Sequence, residues 1–301
     1  MKLTSVSEVK AIMERHGLRF NKGYGQNFLI NEQIPRRIAE ECGADACDGI
    51  LEIGPGIGTL TRELAERYHK VVAVEIDGSL LPALAETVGE YPHVTVLHND
   101  IMKVDLPALI KREFEGRRVT VCANLPYYIT TPILMKLLES GCPFEHITVM
   151  IQKEVALRLC AKPGDADYGA VTASVSRYGK VSRLFTVSAG SFMPAPKVDS
   201  AVIRITLDKE KSYTVKSEDC MTRCIRGAFA MRRKTLVNSL GTEFGGLSKE
   251  QLTAAVLDCG FPADIRGERL GIPEFARLAD ALYDAESLSK REKKENGHDD
   301  V

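Results

Sequence analysis

Two short stretches of this chain hold residue types suited to chemistry. In the first, Glu52, Gly54, Gly56 and Gly58 alternate with Ile53, Pro55 and Ile57, between an apolar run and a stretch of helical periodicity. Glycines in such a turn let backbone amides approach a ligand where a Cβ would intrude. The spacing is not the G-x-G-x-x-G of a pyrophosphate loop, and Glu52 at its front repels phosphate but can orient a cation. A nucleoside that carries a sulfonium and an ammonium group and no phosphate, S-adenosylmethionine, suits that environment. Glu75 ends the next apolar run, about 20 residues on, where an acid can accept hydrogen bonds from both ribose hydroxyls. Ile76 follows it and is counted with the cofactor-binding residues, and Asp100, ending a third run, is placed to accept from the adenine amine. Each acid alone reads equally as a turn former or helix cap. Three of them in register with a glycine loop point to a ligand.

The second stretch is Asn124-Leu125-Pro126-Tyr127. An exocyclic amine on adenine is a poor nucleophile because its lone pair is delocalised into the ring. The Asn124 side-chain oxygen and the Pro126 backbone carbonyl can accept both amine protons while Tyr127 stacks on the base, which turns the lone pair toward a methyl donor. No general base with a shifted pKa is needed, since the proton becomes acidic only as the new bond forms. Taken by itself, the stretch is a strand end with a proline turn and a core tyrosine.

The elements that must position these residues follow from periodicity. GILEI, KVVAVEID, HVTVLHND, RRVTVCANLPYY and HITVMIQ read as strands, and TLTRELAERY, SLLPALAETV and TPILMKLLES between them as helices. Alternation of this kind predicts an α/β fold, a Rossmann-like doubly wound sheet that is parallel with an antiparallel edge strand. The antiparallel pair is expected from VSRLFTVS and SAVIRITL, on either side of a proline-rich loop. Ser5 and Glu8 predict a capping box opening a short N-terminal helix. After Leu207 the pattern becomes helical, punctuated by glycine and proline. The expected division is therefore 1–208 as a cofactor-binding catalytic domain, 209–286 as a small all-helical domain, and 287–301 as a disordered charged tail.

With 301 residues, 44% hydrophobic and 27% charged, and a formal net charge of −1, the chain is neither disordered nor uniformly basic. Any nucleic-acid surface must be local. No apolar run approaches a membrane span, and no signal peptide is recognisable, so a cytoplasmic protein without a membrane partner is expected. The eight cysteines include no Cys-x-x-Cys pair, which favours reduced thiols. Cys220 and Cys224 share a helix face without further ligands nearby, so no metal is expected.

EIGPGIGTLT, VEID, NLPYYITTPIL and GQNFL together resemble the ribosomal RNA adenine dimethyltransferase family, most closely its small-subunit members, from about Gly23 to Leu282. SFMPAPKVDS and LDCGFPADIRGERLGIPEFARLA extend the likeness. The resemblance implies that Asn27 and Leu29 close over the methionine end of the cofactor, with Gly54, Glu75, Asp100 and Asn124 completing the site and Ile101 flanking the adenine. It implies that Tyr127 stacks on the target base and that Phe192, in the proline loop, contacts its other side. The activity implied is dimethylation of the amines of two adjacent adenosines near the 3′ end of small-subunit (16S) rRNA, with a role in small-subunit biogenesis. The implied partners are the small ribosomal subunit and its rRNA, and a monomer is the default. Tyr128 stands where many relatives have Asn, a change that could alter the pocket floor.

Arg223, Arg226, Arg232, Arg233 and Lys234 lie in a stretch without acids and form a candidate phosphate-binding surface. On one helix Arg223, Arg226 and Arg233 fall opposite Ile225, Phe229 and Leu236, whereas Arg232 falls on the apolar face. A helix break near Met231 removes that conflict and presents MRRK to RNA. Three other readings stand beside the leading one: a large-subunit rRNA adenine methyltransferase of the macrolide-resistance type, a ribosome-assembly factor acting mainly by binding, and a dinucleotide oxidoreductase.

Overall fold

The N-terminal helix α1 (Val6–Arg15) forms where Val9, Ile12 and Met13 repeat at helical spacing, and it buries all three. The expected capping box is not made. The Ser5 hydroxyl bonds instead to the Ser7 hydroxyl at 2.7 Å, and Glu8 faces Arg15. The computed structural model describes every residue except Asn21, Cys47, Arg232 and 297–301. After α1 come a two-residue strand, β1 (Phe28–Leu29), and helix α2 (Gln33–Glu40).

Alternation then takes over with β2 (Gly49–Ile53), α3 (Thr59–Ala65), β3 (Lys70–Glu75), α4 (Leu81–Val88), β4 (Val94–His98), α5 (Leu106–Phe114), β5 (Val119–Asn124), α6 (Thr130–Glu139) and β6 (Phe144–Gln152). Helices α7 (Lys153–Leu159) and α8 (Ala170–Ser176) precede β7 (Gly179–Val187), β8 (Phe192–Met193) and β9 (Ser200–Leu207). The seven-stranded sheet has the order β4-β3-β2-β5-β6-β9-β7. Strands β4 to β6 are parallel, and β9 is antiparallel to both of its neighbours. The antiparallel strand thus lies one place in from the edge, and the edge strand β7 runs with the others. Ala201, Val202, Ile203 and Ile205 are all buried, as a strand paired on both sides and covered on both faces requires. Central β2 is buried at every position for the same reason.

Register places the chemistry. Ile53 lies opposite Val74 of β3 and Ala123 of β5, so the next residues in each strand, Gly54, Glu75 and Asn124, emerge level at one carboxyl edge. Open parallel sheets bind their ligands at that edge.

The chain forms two compact units, one of Met1–Leu157 with Gly179–Leu207, the other of Arg158–Tyr178 with Asp208 onward. The first unit ends at Leu207, and 158–178, expected in the catalytic part, belong to the second unit. There the Tyr168 hydroxyl donates to the Leu270 carbonyl at 2.9 Å and Arg177 donates to Tyr213, Thr222 and Glu218. The rest of that unit is α9 (Glu218–Ala230), α10 (Leu236–Leu240), α11 (Lys249–Asp258) and α12 (Ile272–Asn296). Cys220 and Cys224 are core residues here, packed with Met221, Ile225 and Leu282. Helix α12 runs well past residue 287, so 287–296 are helix rather than the expected disordered tail. Phe275, Leu278, Ala279 and Leu282 anchor it, and once a helix is anchored each further residue adds a hydrogen bond. No helix among the described residues is long and apolar enough to cross a membrane.

Candidate active site

The glycine turn after β2 holds Gly54 and Gly56 at φ +69° and +63°, a conformation that disfavours side chains. A Cβ on Gly54 meets nothing within 4 Å, so the space above the turn is open to a ligand. A Cβ on Gly56 comes within 3.2 Å of the Phe28 ring, which closes the other side. Below the turn Glu52 is 1% exposed and its Oε2 has no hydrogen-bond partner. Burial pushes its carboxyl up to about 8, against the opposing influence of the nearby Thr61 hydroxyl, and the neighbouring charge of Glu75 adds to the shift. Glu75 is also raised by burial, although its oxygens accept from the Gly56 amide at 3.1 Å and the Asp77 amide at 2.8 Å. Its carboxylate therefore ties the glycine turn to the end of β3. Two buried acids with one orphaned oxygen form an environment short of positive charge, which a cationic ligand supplies.

These residues line one cavity with the NLPY turn and the N-terminal segment. Of the sequence-predicted set, Asn27, Leu29, Glu52, Gly54, Gly56, Glu75, Ile76, Asn124, Pro126, Tyr127 and Phe192 all contribute to its wall. Asp100 and Ile101 do not. Asp100 follows β4 in a turn where its Oδ1 accepts from the Met102 amide at 2.9 Å, and Ile101 is buried. In this structure Asp100 makes the ordinary turn contact of an acid at a strand end.

Beyond β5 the backbone turns at Pro126. The Pro126 carbonyl accepts from the Ile129 amide at 3.3 Å and the Thr130 hydroxyl at 3.1 Å, so it serves the opening of α6 and is not the free acceptor expected. Leu125 also lines the cavity, and its carbonyl accepts no hydrogen bond among the described residues. Tyr127 is half-buried, and its hydroxyl lies 2.6 Å from that of Ser200, the first residue of β9. That contact spans 73 residues of sequence and fixes the ring.

Strands β1 and β8 pair antiparallel, with Leu29 opposite Phe192. The N-terminal motif and the proline loop, read separately in the sequence, are therefore one piece of structure. Phe192 is 3% exposed and packs with Leu29, Met150 and Val202, so it is a wall of the cavity and not a free stacking face. The Asn27 side-chain amide donates to the Gly25 carbonyl at 2.9 Å, and Gln26 donates to Asp77 at 2.7 Å, which pins this segment to the turn after β3. Asp77 and Ser200 were missed in the sequence. VEID held a signal for Asp77, whereas none marked Ser200.

Residues 17–259 match the family model described as ribosomal RNA adenine dimethylase. The chain belongs to the ribosomal RNA adenine dimethylase family. Its relatives include ribosomal RNA small subunit methyltransferase A of Shouchella clausii, 45% identical over 283 residues and covering 93% of this chain and 96% of that one. The protein of that name from Geobacillus thermodenitrificans is 46% identical over 283 residues, covering 93% and 97%. Among solved structures, a dimethyladenosine transferase from Plasmodium falciparum is 25% identical with TM-score 0.71, covering 86% of this chain and 98% of that one. The 23S rRNA methyltransferase ErmE is 26% identical with TM-score 0.66, covering 85% and 100%. With family membership come the class I methyltransferase fold and the enzyme class, an rRNA adenine dimethyltransferase.

The candidate RNA-binding residues of this dimethylase fall into two groups. Arg223 donates to both oxygens of Glu286, at 2.9 and 2.7 Å, and lies over the Phe244 ring, while Arg226 is paired with Glu243. Both are already neutralised inside the helical unit. Helix α9 ends at Ala230 and Met231 leaves the helical conformation, which is the break that the position of Arg232 required. Arg233 and Lys234 beyond it are exposed and make no ion pair among the described residues; Arg232 lies outside those residues.

Proposed function

We propose that this enzyme dimethylates adenosines of small-subunit rRNA, with S-adenosylmethionine as methyl donor. The observation that carries the cofactor reading is the orphaned, buried oxygen of Glu52 beneath an open glycine turn, level with Asn124. The small-subunit substrate rests on relatives of that name at 45–46% identity over nearly the whole chain. Dimethylation of two adjacent adenosines near the 3′ end, and a part in subunit assembly, belong to the same reading.

When bound, the cofactor would supply an electrophilic methyl on a positively charged sulfur and would leave as the neutral thioether as its carbon–sulfur bond breaks. Glu52 faces that positive charge, the glycine turn leaves room for the nucleoside, and Glu75 offers carboxylate oxygens to its hydroxyls. On the substrate side, the Asn124 side-chain oxygen and the Leu125 carbonyl accept the two protons of the adenine amine. Leu125 takes this part because the Pro126 carbonyl is engaged by α6. With both protons held, the lone pair on N6 leaves conjugation and faces the cofactor side of the cavity. Tyr127, oriented through Ser200, stacks on the base. One proton is lost to solvent as the nitrogen–carbon bond forms, and positioning and electrostatics supply the rate. After one transfer N6 still bears one proton, so a single acceptor, Asn124 or Leu125, can hold the monomethyl product for a second.

The test incubates the enzyme and labelled S-adenosylmethionine with unmethylated small subunits, large-subunit RNA and free adenosine, and identifies the products by mass spectrometry. Dimethyladenosine in small subunits alone is expected, and Asn124→Ala should abolish it while leaving subunit binding within a few fold. Product in large-subunit RNA would transfer the assignment to the ErmE-like activity.

A further inference from the structure

The NLPY turn continues into a residue that neither the cofactor nor the target amine accounts for. Leu125 is 1% exposed and Thr130 is buried, whereas Tyr128 between them is 60% exposed. Its hydroxyl makes no hydrogen bond among the described residues, in contrast to that of Tyr127 on Ser200. It belongs to the wall of the same cavity as Asn124 and Tyr127, so its exposure lies at the mouth and not at the pocket floor. One part of its ring is seated: a Cβ added to Gly25 comes 3.6 Å from its Cδ1 and 3.6 Å from Pro126 Cβ, so the ring and the proline lie along the Gly25 backbone. The ring is therefore backed by main chain and open to solvent elsewhere, next to the place where a base must enter.

An adenine drawn out of a strand into this cavity leaves the adjoining base with one face unstacked. An aromatic ring fixed at the mouth can cover that face, and stacking of this kind tolerates any base. We propose that Tyr128 is a positioning residue that stacks on the nucleobase adjoining the target adenine and thereby holds the RNA strand at the cavity mouth. The inference rests on the rRNA adenine dimethyltransferase reading. Tyr127 and Tyr128 then divide the work. The inner ring, tied to β9, receives the reacting base, and the outer ring receives its neighbour. A ring also suits the second transfer, because it keeps the strand in place while the monomethyl product is repositioned.

The rival assignment for the same geometry is a clasp that holds the N-terminal segment over the cofactor through Gly25. Methyl transfer to unmethylated small subunits, measured for the parent enzyme, Tyr128→Phe, Tyr128→Ala and Tyr128→Asn, separates the two, with S-adenosylmethionine affinity determined by calorimetry on each. Stacking predicts that KM for subunits rises about 10-fold in Tyr128→Ala and Tyr128→Asn, that kcat at saturating subunits changes less than KM, and that Tyr128→Phe stays within about twofold of the parent. It also predicts that cofactor affinity stays within about twofold in all of them. An unchanged KM in Tyr128→Ala overturns the proposal, as does a loss of cofactor affinity matching the loss of transfer, which assigns the clasp. A parent enzyme that methylates no subunit overturns the functional reading together with this one, whereas an active parent with an equally active Tyr128→Ala overturns this one alone.

Discussion

At the scale of single residues, the site is built around a buried acid that the fold does not neutralise. Glu52 was legible in the sequence because an acid before a glycine turn is out of place in a phosphate loop. That its oxygen is orphaned follows from packing that no local pattern encodes. In the free enzyme its carboxyl titrates near pH 8, above the ordinary 4.5, so the folded state holds a proton that the unfolded chain releases. Its contribution to stability is therefore greatest below pH 4.5, falls as pH rises through 4.5 to 8, and is flat above. Glu52→Gln is expected to match the parent in thermal unfolding at pH 5 and to exceed it by about 1–4 kcal/mol at pH 8.5. A cationic ligand reverses the preference by favouring the carboxylate. Binding of S-adenosylmethionine at pH 7 should release a fraction of a proton approaching one, seen as a dependence of calorimetric enthalpy on the ionisation enthalpy of the buffer. Glu52→Gln should lose both that dependence and at least tenfold in affinity. Equal proton release by the parent and the variant would remove Glu52 from the cofactor site.

At the scale of elements, the parallel sheet could be read directly because each strand is a short apolar run and each helix has its own period. The pairing of β1 with β8 could not. Each strand has two residues and no periodicity, and the partners are far apart in sequence, so GQNFL and the proline loop read as separate motifs. Helix α9 shows the same limit for charge. Its arginines share a face, but the acids that hold Arg223 and Arg226 come from α12 and from the turn after α10. The Arg223 guanidinium holds the Glu286 carboxyl below its ordinary value, which marks a structural pair. Arg223→Ala is accordingly expected to destabilise the protein by about 1–3 kcal/mol in chemical denaturation, through the lost bidentate pair and the contact with Phe244. It should leave the salt dependence of RNA binding unaltered. Replacing Arg233 and Lys234 together by Ala should do the reverse. Stability should stay within about 0.5 kcal/mol, and the slope of log affinity against log salt should fall by about 0.7–0.9 for each cation removed. An unchanged slope in the double variant would take the segment after α9 out of the RNA surface.

At the scale of the whole molecule, the two units are interleaved in sequence, and this decides how the chain can be divided. A boundary near residue 208 follows from the change of composition, because β9 ends there and a charged segment begins. The membership of 158–178 does not follow from composition, because it depends on where Tyr168 and Arg177 find partners. Tyr168 and Ala173 are buried in the core of the helical unit, and Arg177, 5% exposed, is held by Tyr213 and Glu218. A chain ending at 208 keeps all three residues and loses every one of those partners. It then presents an apolar surface and a cation whose solvation the fold had replaced. Such a fragment is expected to bind a hydrophobic dye and to self-associate in size-exclusion chromatography, although its sheet is intact. Replacing 158–178 by a flexible linker in the same fragment should abolish dye binding and give a single species. If the fragment ending at 208 is itself monodisperse and dye-silent, the inserted segment does not depend on the helical unit. The catalytic unit would then extend unbroken from residue 1 to 208, the division that the change of composition suggests.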